Sequence, residues 1–178
     1  IIPYLKSKGI NQIEKIIISH DDFDHNGSKE SLVKNFNVKE IIEDSLIERI
    51  TIGQSVFINL NVNENRDNDG SIVLYGEYGG IKYLFSGDIS SSKEKELINL
   101  YELKVDALKV SHHGSNTSTS EDFLEEVNPV IGLIGVSRNN RYNHPSKEVI
   151  EKATKLYTQK GYENSICIEL GLRLDKAN

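Results

Sequence analysis

Apolar positions in this chain fall in short clusters cut apart by polar turn formers, and the clusters are of two kinds. The first kind is β-branched and brief. Lys15–Ser19 carries three consecutive isoleucines and reads as a buried strand. Val38–Ile42, Val105–Val110, Val130–Val136 and Ile166-Cys167-Ile168 read the same way, and Leu46–Ile52 and Ser55–Val62 are more polar strand candidates. Ser71–Tyr78 and Ile81–Ser86 flank Gly79-Gly80, a pair that accepts positive φ in a two-residue hairpin turn. Residues 63–70, Asn-Glu-Asn-Arg-Asp-Asn-Asp-Gly, form a polar loop.

The second kind has helical spacing and helix punctuation. Pro3 to about Lys8 is closed by Gly9. Ser28 can cap a helix to about Asn35 with Leu32 and Val33 inward. Ser91 to about Tyr101 carries Leu97, Ile98 and Leu100 on its apolar side. Thr119–Val127 stops at Asn128-Pro129, and Pro145 opens a helix to about Lys160 that Gly161 ends. Strands alternating with helices predict a layered α/β fold. There is no internal repeat, low-complexity tract or linker, so one domain over residues 1–178 is expected.

Composition narrows the class. The chain has 178 residues, 37% hydrophobic and 27% charged, enough to bury a core and too apolar for intrinsic disorder. No apolar run approaches the roughly 20 residues that span a bilayer. The single Cys167 forms no internal disulfide, and its place between two isoleucines suits packing. A reduced lone cysteine fits a cytoplasm. The net charge of −6 argues against a sequence-neutral DNA coat, which would need a basic surface. The chain starts Ile1-Ile2-Pro3 and contains no Met, so as given it is not a whole translation product, and no signal peptide can be read from such a start. Nothing in the pattern specifies an oligomeric state.

The chemistry sits where strands end. His20-x-Asp22-x-Asp24-His25 places four potential metal ligands within six residues, directly after a strand. Imidazole and carboxylate are the ligands of hydrolytic Zn, Mn and Fe sites. Asp88 ends the strand Leu84–Ser86 after Gly87; it suits either a carboxylate bridging two cations or a helix N-cap. His112 and His113 follow the strand Val105–Val110. If the chain is extended there, the two rings point to opposite faces and one of them faces the site. His144 is either a terminal ligand of a second ion or a surface residue before Pro145. Asn68, in Asn68-Asp69-Gly70-Ser71, is either a ligand completing the first ion's shell or part of a turn. No Gly-x-Ser-x-Gly elbow, P-loop or Gly-x-Gly-x-x-Gly is present.

Together these motifs resemble the metallo-β-lactamase superfamily, whose pattern is His-x-His-x-Asp-His after a strand, then a strand-ending Asp and a late His. Asp22 replaces the second His of that pattern. The variant is similar to the ComEC-type domain of competence DNA-uptake proteins, as are Asn68-Asp69-Gly70-Ser71, Ser86-Gly87-Asp88, Ser111-His112-His113-Gly114-Ser115 and Asn143-His144-Pro145. The resemblance implies a four-layer αββα sandwich with metals at one edge of the two sheets. It also implies strands ahead of the helix at Pro3, which this chain lacks, and ComEC-type domains work outside the cytoplasm.

The expected activity is metal-dependent hydrolysis of a phosphoester, as a phosphodiesterase or nuclease with DNA as one substrate, through attack by a metal-bound hydroxide. His20, Asp22, Asp88 and Asn68 would hold one divalent ion; Asp24, His25, Asp88 and His144 would hold the other. Asp24, with His112 or His113, would serve the chemistry, the histidine donating a hydrogen bond to the phosphate or a proton to the leaving oxygen. The ions would be Zn²⁺ or Mn²⁺, with Fe²⁺ a third option; Asp22 shifts preference towards the harder ions. The competing readings are a non-catalytic metal-binding module and hydrolysis of another ester, such as a cell-wall phosphocholine ester, a thioester or a β-lactam.

Overall fold

In the computed structural model, which describes residues 1–137, 140–159 and 166–167, the strands form two sheets. Helix α1 (Ile2–Ser7) holds Pro3 in its first turn, where no N–H is needed, and Gly9 at φ 70 leads the chain out. Strand β1 (Gln12–Ile17) is followed by two short helices, α2 (Phe23–Asn26) and α3 (Lys29–Asn35), and then β2 (Asn37–Ile42). β1 and β2 pair in parallel from Gln12 opposite Asn37 to Ile17 opposite Ile42, and α3 packs beside β2.

The second sheet begins with β3 (Arg49–Ile52), β4 (Ser55–Asn59), β5 (Leu74–Tyr78) and β6 (Ile81–Phe85), all antiparallel. Gly79 and Gly80, at φ 61 and 78, make the β5–β6 turn that the glycine pair predicts. The chain continues through α4 (Ser91–Leu100), β7 (Ala107–Lys109), α5 (Glu121–Val127), β8 (Ile131–Leu133), α6 (Lys147–Gln159) and β9 (Ile166–Cys167). β6 to β9 pair in parallel, so each strand needs a crossover, and the three helices supply them. The sheet order is β3-β4-β5-β6-β7-β8-β9.

Two hydrophobic cores follow. Leu84, Leu97, Leu108, Phe123, Leu124 and Val149 fill the space between the second sheet and α4–α6. Ile42, Ile50, Phe57, Ile72 and Leu74, with Ile17 against them, fill the space between the two sheets. The layers therefore run helix, sheet, sheet, helix, as expected. Ile72 N–H donates to Ser19 O at 2.8 Å and so joins the two sheets just below the first histidine motif, while Ile18 N–H to Ile42 O at 2.9 Å carries the β1–β2 pairing up to the same point.

Several elements are shorter than their apolar runs. Residues 71–73 were expected in a strand, but Ile72 bonds to Ser19 and Val73 O accepts from Leu60 N–H, away from the β5–β6 ladder. Val105 N–H likewise bonds to Val127 O at the end of α5, and Val105–Val110 is cut to the three residues Ala107–Lys109, with Val110 N–H to Leu133 O running on along the β7–β8 ladder. Val130–Val136 is cut to Ile131–Leu133, Leu46–Ile52 to Arg49–Ile52, and Ser55–Val62 to Ser55–Asn59. Val33 and Leu100 were expected inward and are exposed: α3 buries no residue fully, and α4 buries only Glu94 and Leu97. Ser28 stands at the start of α3 without a side-chain cap bond. The helix after Pro145 starts at Lys147, where Ser146 Oγ accepts from Val149 N–H. The predicted stop at Lys160-Gly161, residue Ile168 and the side chain of Cys167 lie outside the described residues. Among the described residues no helix is long and apolar enough to cross a membrane.

Candidate metal centre

The histidine and aspartate motifs converge at the ends of β1, β6 and β7. After β1 the chain runs on as far as Asp22, still extended at φ −60 and ψ 144, and then coils into α2, which carries Asp24 and His25 back over His20. After β6 it turns at Gly87, φ 58, to present Asp88. A Cβ on Gly87 would lie 2.5 Å from Ser71 Cβ, so only glycine fits. After β7 it enters a 3₁₀ turn, Ser111–Gly114, in which His112 and His113 both adopt left-handed backbone angles. The extended geometry expected for this pair is not what separates the rings; the left-handed turn does so.

His113 faces inward. Its Nε2 lies 3.1 Å from Asp24 Oδ2 and 3.3 Å from Asp88 Oδ2, and its Nδ1 donates to Gly135 O at 2.6 Å. His25 Nε2 lies 3.1 Å from Asp88 Oδ2 and 3.1 Å from His113 Nε2. His20 Nε2 lies 3.8 Å from Asp22 Oδ2. Two overlapping groups result, His20 with His25 and Asp88, and Asp24 with His25 and His113; in each the ligand atoms lie within 4.8 Å of one another. His144 belongs to neither.

This donor set fits divalent cations. His20 is fully buried, yet its Nε2 has no hydrogen-bond partner, an arrangement that costs free energy unless something binds there. A backbone carbonyl only accepts, so His113 keeps a proton on Nδ1; the protonated ring donates from Nε2 to Asp88, and the neutral ring turns an Nε2 lone pair towards His25 Nε2. A cation resolves such a contact. Burial, and next the proximity of His25, lowers the His20 pKa and favours the neutral ligand form. Burial alone would raise Asp88, but hydrogen bonds from His113 and His25 and the charge of Lys109 hold its carboxyl well below the usual carboxylate range. The hydrogen bond to Asp88 raises His113.

His112 faces the other way. Its Nε2 is 3.4 Å from Asn68 Nδ2, its Nδ1 is 3.3 Å from Thr117 Oγ1, and its ring centroid is 6.0 Å from that of His144. Asn140 holds His144 through both its backbone N–H and its carbonyl, each at 2.7 Å, and Tyr142 stacks on the His144 ring. Burial and then His112 lower the His144 pKa, and His144 Nδ1 is buried without a partner. Asn68, His112 and His144 thus form one wall beside the inner cluster. Asp22 and Asp24, with side chains 57% and 60% exposed, form its open mouth.

Asp88 is not a helix cap. Ser90 caps α4, its Oγ accepting from Lys93 N–H, and Asp69 holds Ser90 through the N–H at 2.7 Å and the hydroxyl at 3.0 Å. Asp88 Oδ1 instead takes a 3.1 Å ion pair from Lys109, whose Nζ also donates to Gly87 O. Lys109 and Ser19 were not singled out from the sequence. The only signal for Lys109 is its place at a strand end three residues before His112. A cleft of about 330 Å³ runs from His25, Ser19 and Lys109 along Ile17, Phe57 and Leu74 between the sheets.

Two helix-backed sheets with an inner His/Asp cluster at their strand ends make this an α/β fold built around a candidate metal centre, and the chain resembles the metallo-β-lactamase superfamily. Within that superfamily its similarity is to competence proteins of the ComEC type. It is 33% identical over 181 residues to ComE operon protein 3 of Bacillus subtilis (strain 168), covering 85% of this chain and 23% of that protein. It is 31% identical over 163 residues to competence protein ComA of Neisseria gonorrhoeae, covering 84% of this chain and 24% of that protein. The chain thus spans about a quarter of these relatives' length. Among solved structures it overlaps a putative Zn-dependent hydrolase of the metallo-β-lactamase superfamily from Thermotoga maritima, with 14% identity and a TM-score of 0.40, over 68% of this chain and 57% of that one. No protein-family model matches the chain.

Proposed function

We propose that this chain is a metal-dependent hydrolase with a dinuclear site that cleaves a phosphodiester, nucleic acid included. The observation that carries the proposal is the pair of ligand groups that overlap at His25, one of them including Asp88, with His20 Nε2 buried and unpartnered among them. His20, Asp22 and Asp88 would hold one ion, with Asn68 at its edge. Asp24, His25, Asp88 and His113 would hold the other, His113 standing where His144 was expected. Zn²⁺, Mn²⁺ or Fe²⁺ would supply Lewis acidity and a nucleophile at neutral pH.

The chain's own groups do the rest. Asp88, held ionised by its partners, presents Oδ2 to His25 and His113 and lies in the ligand group of His20, while Lys109 occupies Oδ1. Asp22 and Asp24 set the negative charge at the mouth. His112 Nε2 and Asn68 Nδ2 lie side by side on the outer wall, where both can donate to a phosphate oxygen. His112 is also the group placed to pass a proton to the leaving oxygen, with Thr117 Oγ1 steadying its Nδ1. Nucleic acid as substrate is supported by similarity to competence proteins. The −6 charge does not oppose it, because part of that charge belongs to the carboxylates that would hold the ions.

The test is turnover of bis-p-nitrophenyl phosphate and single-stranded DNA with added Mn²⁺ or Zn²⁺, beside a chromogenic β-lactam and a thioester. Phosphodiester hydrolysis that disappears in Asp24→Ala is expected. Metal uptake without turnover of any of these would favour the non-catalytic metal-binding module instead.

A further inference from the structure

Ser19 has no part in the chemistry above, yet its hydroxyl touches two of the histidines that do. Ser19 Oγ lies 3.0 Å from His20 Nδ1 and 3.0 Å from His25 Nδ1. A second hydroxyl, Ser71 Oγ, lies 3.3 Å from His20 Nδ1 and accepts Asp88 N–H at 3.1 Å. Ser19 is itself fixed, because its carbonyl takes the Ile72 N–H at the junction of the two sheets.

Proton counting decides what such a contact does. A serine hydroxyl has one proton and two lone pairs. If it donated to His20 Nδ1, the ring's proton would move to Nε2, a buried atom with no acceptor in reach. His20 must therefore donate from Nδ1. For His25 to offer a lone pair at Nε2, its proton must also sit on Nδ1, and the second lone pair of Ser19 is there to accept it. We infer that Ser19 is a positioning residue: one hydroxyl, accepting from both Nδ1–H groups, fixes the tautomer and ring orientation of His20 and His25 so that both Nε2 atoms serve as ligands. The inference rests on the metal-centre reading. It adds that the two halves of the site are set by one side chain anchored in the sheet junction. Groups that orient a ligating histidine in this way typically contribute about 10–100-fold in metal affinity.

The test compares Ser19→Thr, which keeps a hydroxyl, with Ser19→Val, which has nearly the same shape and none. Zn²⁺ affinity of the metal-free proteins is measured by titration calorimetry, and ring protonation of the Zn²⁺-loaded wild type by long-range ¹H–¹⁵N correlation. Affinity within about threefold of wild type for Ser19→Thr, and a loss of about 10–100-fold for Ser19→Val at unchanged thermal stability of the metal-free form, is the expected result. The spectrum should show both His20 and His25 protonated at Nδ1. Equal affinity for the Thr and Val variants, or a wild-type spectrum with either ring protonated at Nε2, would overturn the inference while leaving the metal centre standing. A wild type that takes up no Zn²⁺ would overturn both, and so is distinguishable from failure of the Ser19 role alone.

Discussion

Replacing Glu94 with alanine should loosen the loops that carry the site. Glu94 lies in the first turn of α4 and is fully buried. Its Oε1 accepts Thr119 N–H at 2.7 Å and Ser111 Oγ at 2.9 Å, and its Oε2 accepts Ser120 N–H at 2.9 Å. These donors bracket the turn that aims His112 and His113 and open α5. Alanine leaves all three without their acceptor. An unsatisfied buried donor costs about 1–3 kcal/mol, so water entering the vacated space should leave a net loss of about 3–5 kcal/mol. For a chain of this size that is a fall in Tm of about 10 °C. Glu94→Gln keeps one acceptor oxygen but sets an amide N–H against a backbone N–H, and should cost about 1–3 kcal/mol. Urea unfolding of the metal-free proteins measures both. A loss below about 1 kcal/mol for Glu94→Ala would show that the carboxylate does not pin these loops. The pH dependence has a definite sign. Burial raises the Glu94 pKa, and its three donors only partly offset this. The folded state thus keeps this proton to higher pH than the unfolded chain. The group's stabilising share is full below the ordinary Glu range and is lost as pH climbs through the raised value. The gap between wild type and Glu94→Ala should therefore narrow as pH rises above the ordinary Glu range.

Other substitutions separate ligand, proton donor and core. Asp88→Asn should abolish metal uptake at both halves of the site, measured by titration calorimetry, because the bridging charge is lost and Lys109 is left beside a neutral group; undiminished uptake would contradict the bridging role. His112→Ala should keep its metal while kcat for bis-p-nitrophenyl phosphate falls about 10²–10⁴-fold; loss of metal in that variant would place His112 among the ligands instead. Leu108→Ala, at a fully buried position in the larger core, should cost about 2–5 kcal/mol in urea unfolding; a cost under about 1 kcal/mol would mean that the helices do not close tightly over the second sheet.

What the sequence revealed was what depends on local order. His20, Asp22, Asp24 and His25 are legible because four potential ligands in six residues after a strand need no knowledge of the rest of the chain. Gly79-Gly80 is legible because the turn requires positive φ at both positions. The strand ends were not legible. Ile72 and Val105 look like ladder residues, but their N–H groups bond to Ser19 O beyond the end of β1 in the other sheet and to Val127 O at the end of α5. The inward turn of His113 was hidden for a similar reason. It depends on left-handed angles at two histidines and on Gly114 at φ 76, where a Cβ would lie 2.7 Å from Pro145 Cβ. That contact joins residues 31 positions apart, and no local pattern announces it. Ser19, Glu94 and Lys109 carry no motif at all; their meaning comes only from which atoms they reach.

The number of metal ions held per chain puts the dinuclear reading at most direct risk. Elemental analysis of protein stripped with a chelator and reloaded with Zn²⁺ or Mn²⁺ should find about two ions per wild-type chain. His20→Ala and His113→Ala should each fall to about one, because each variant breaks one ligand group and leaves most of the other intact. One ion in the wild type, or two in both variants, would contradict the assignment of these histidines to two halves of one site.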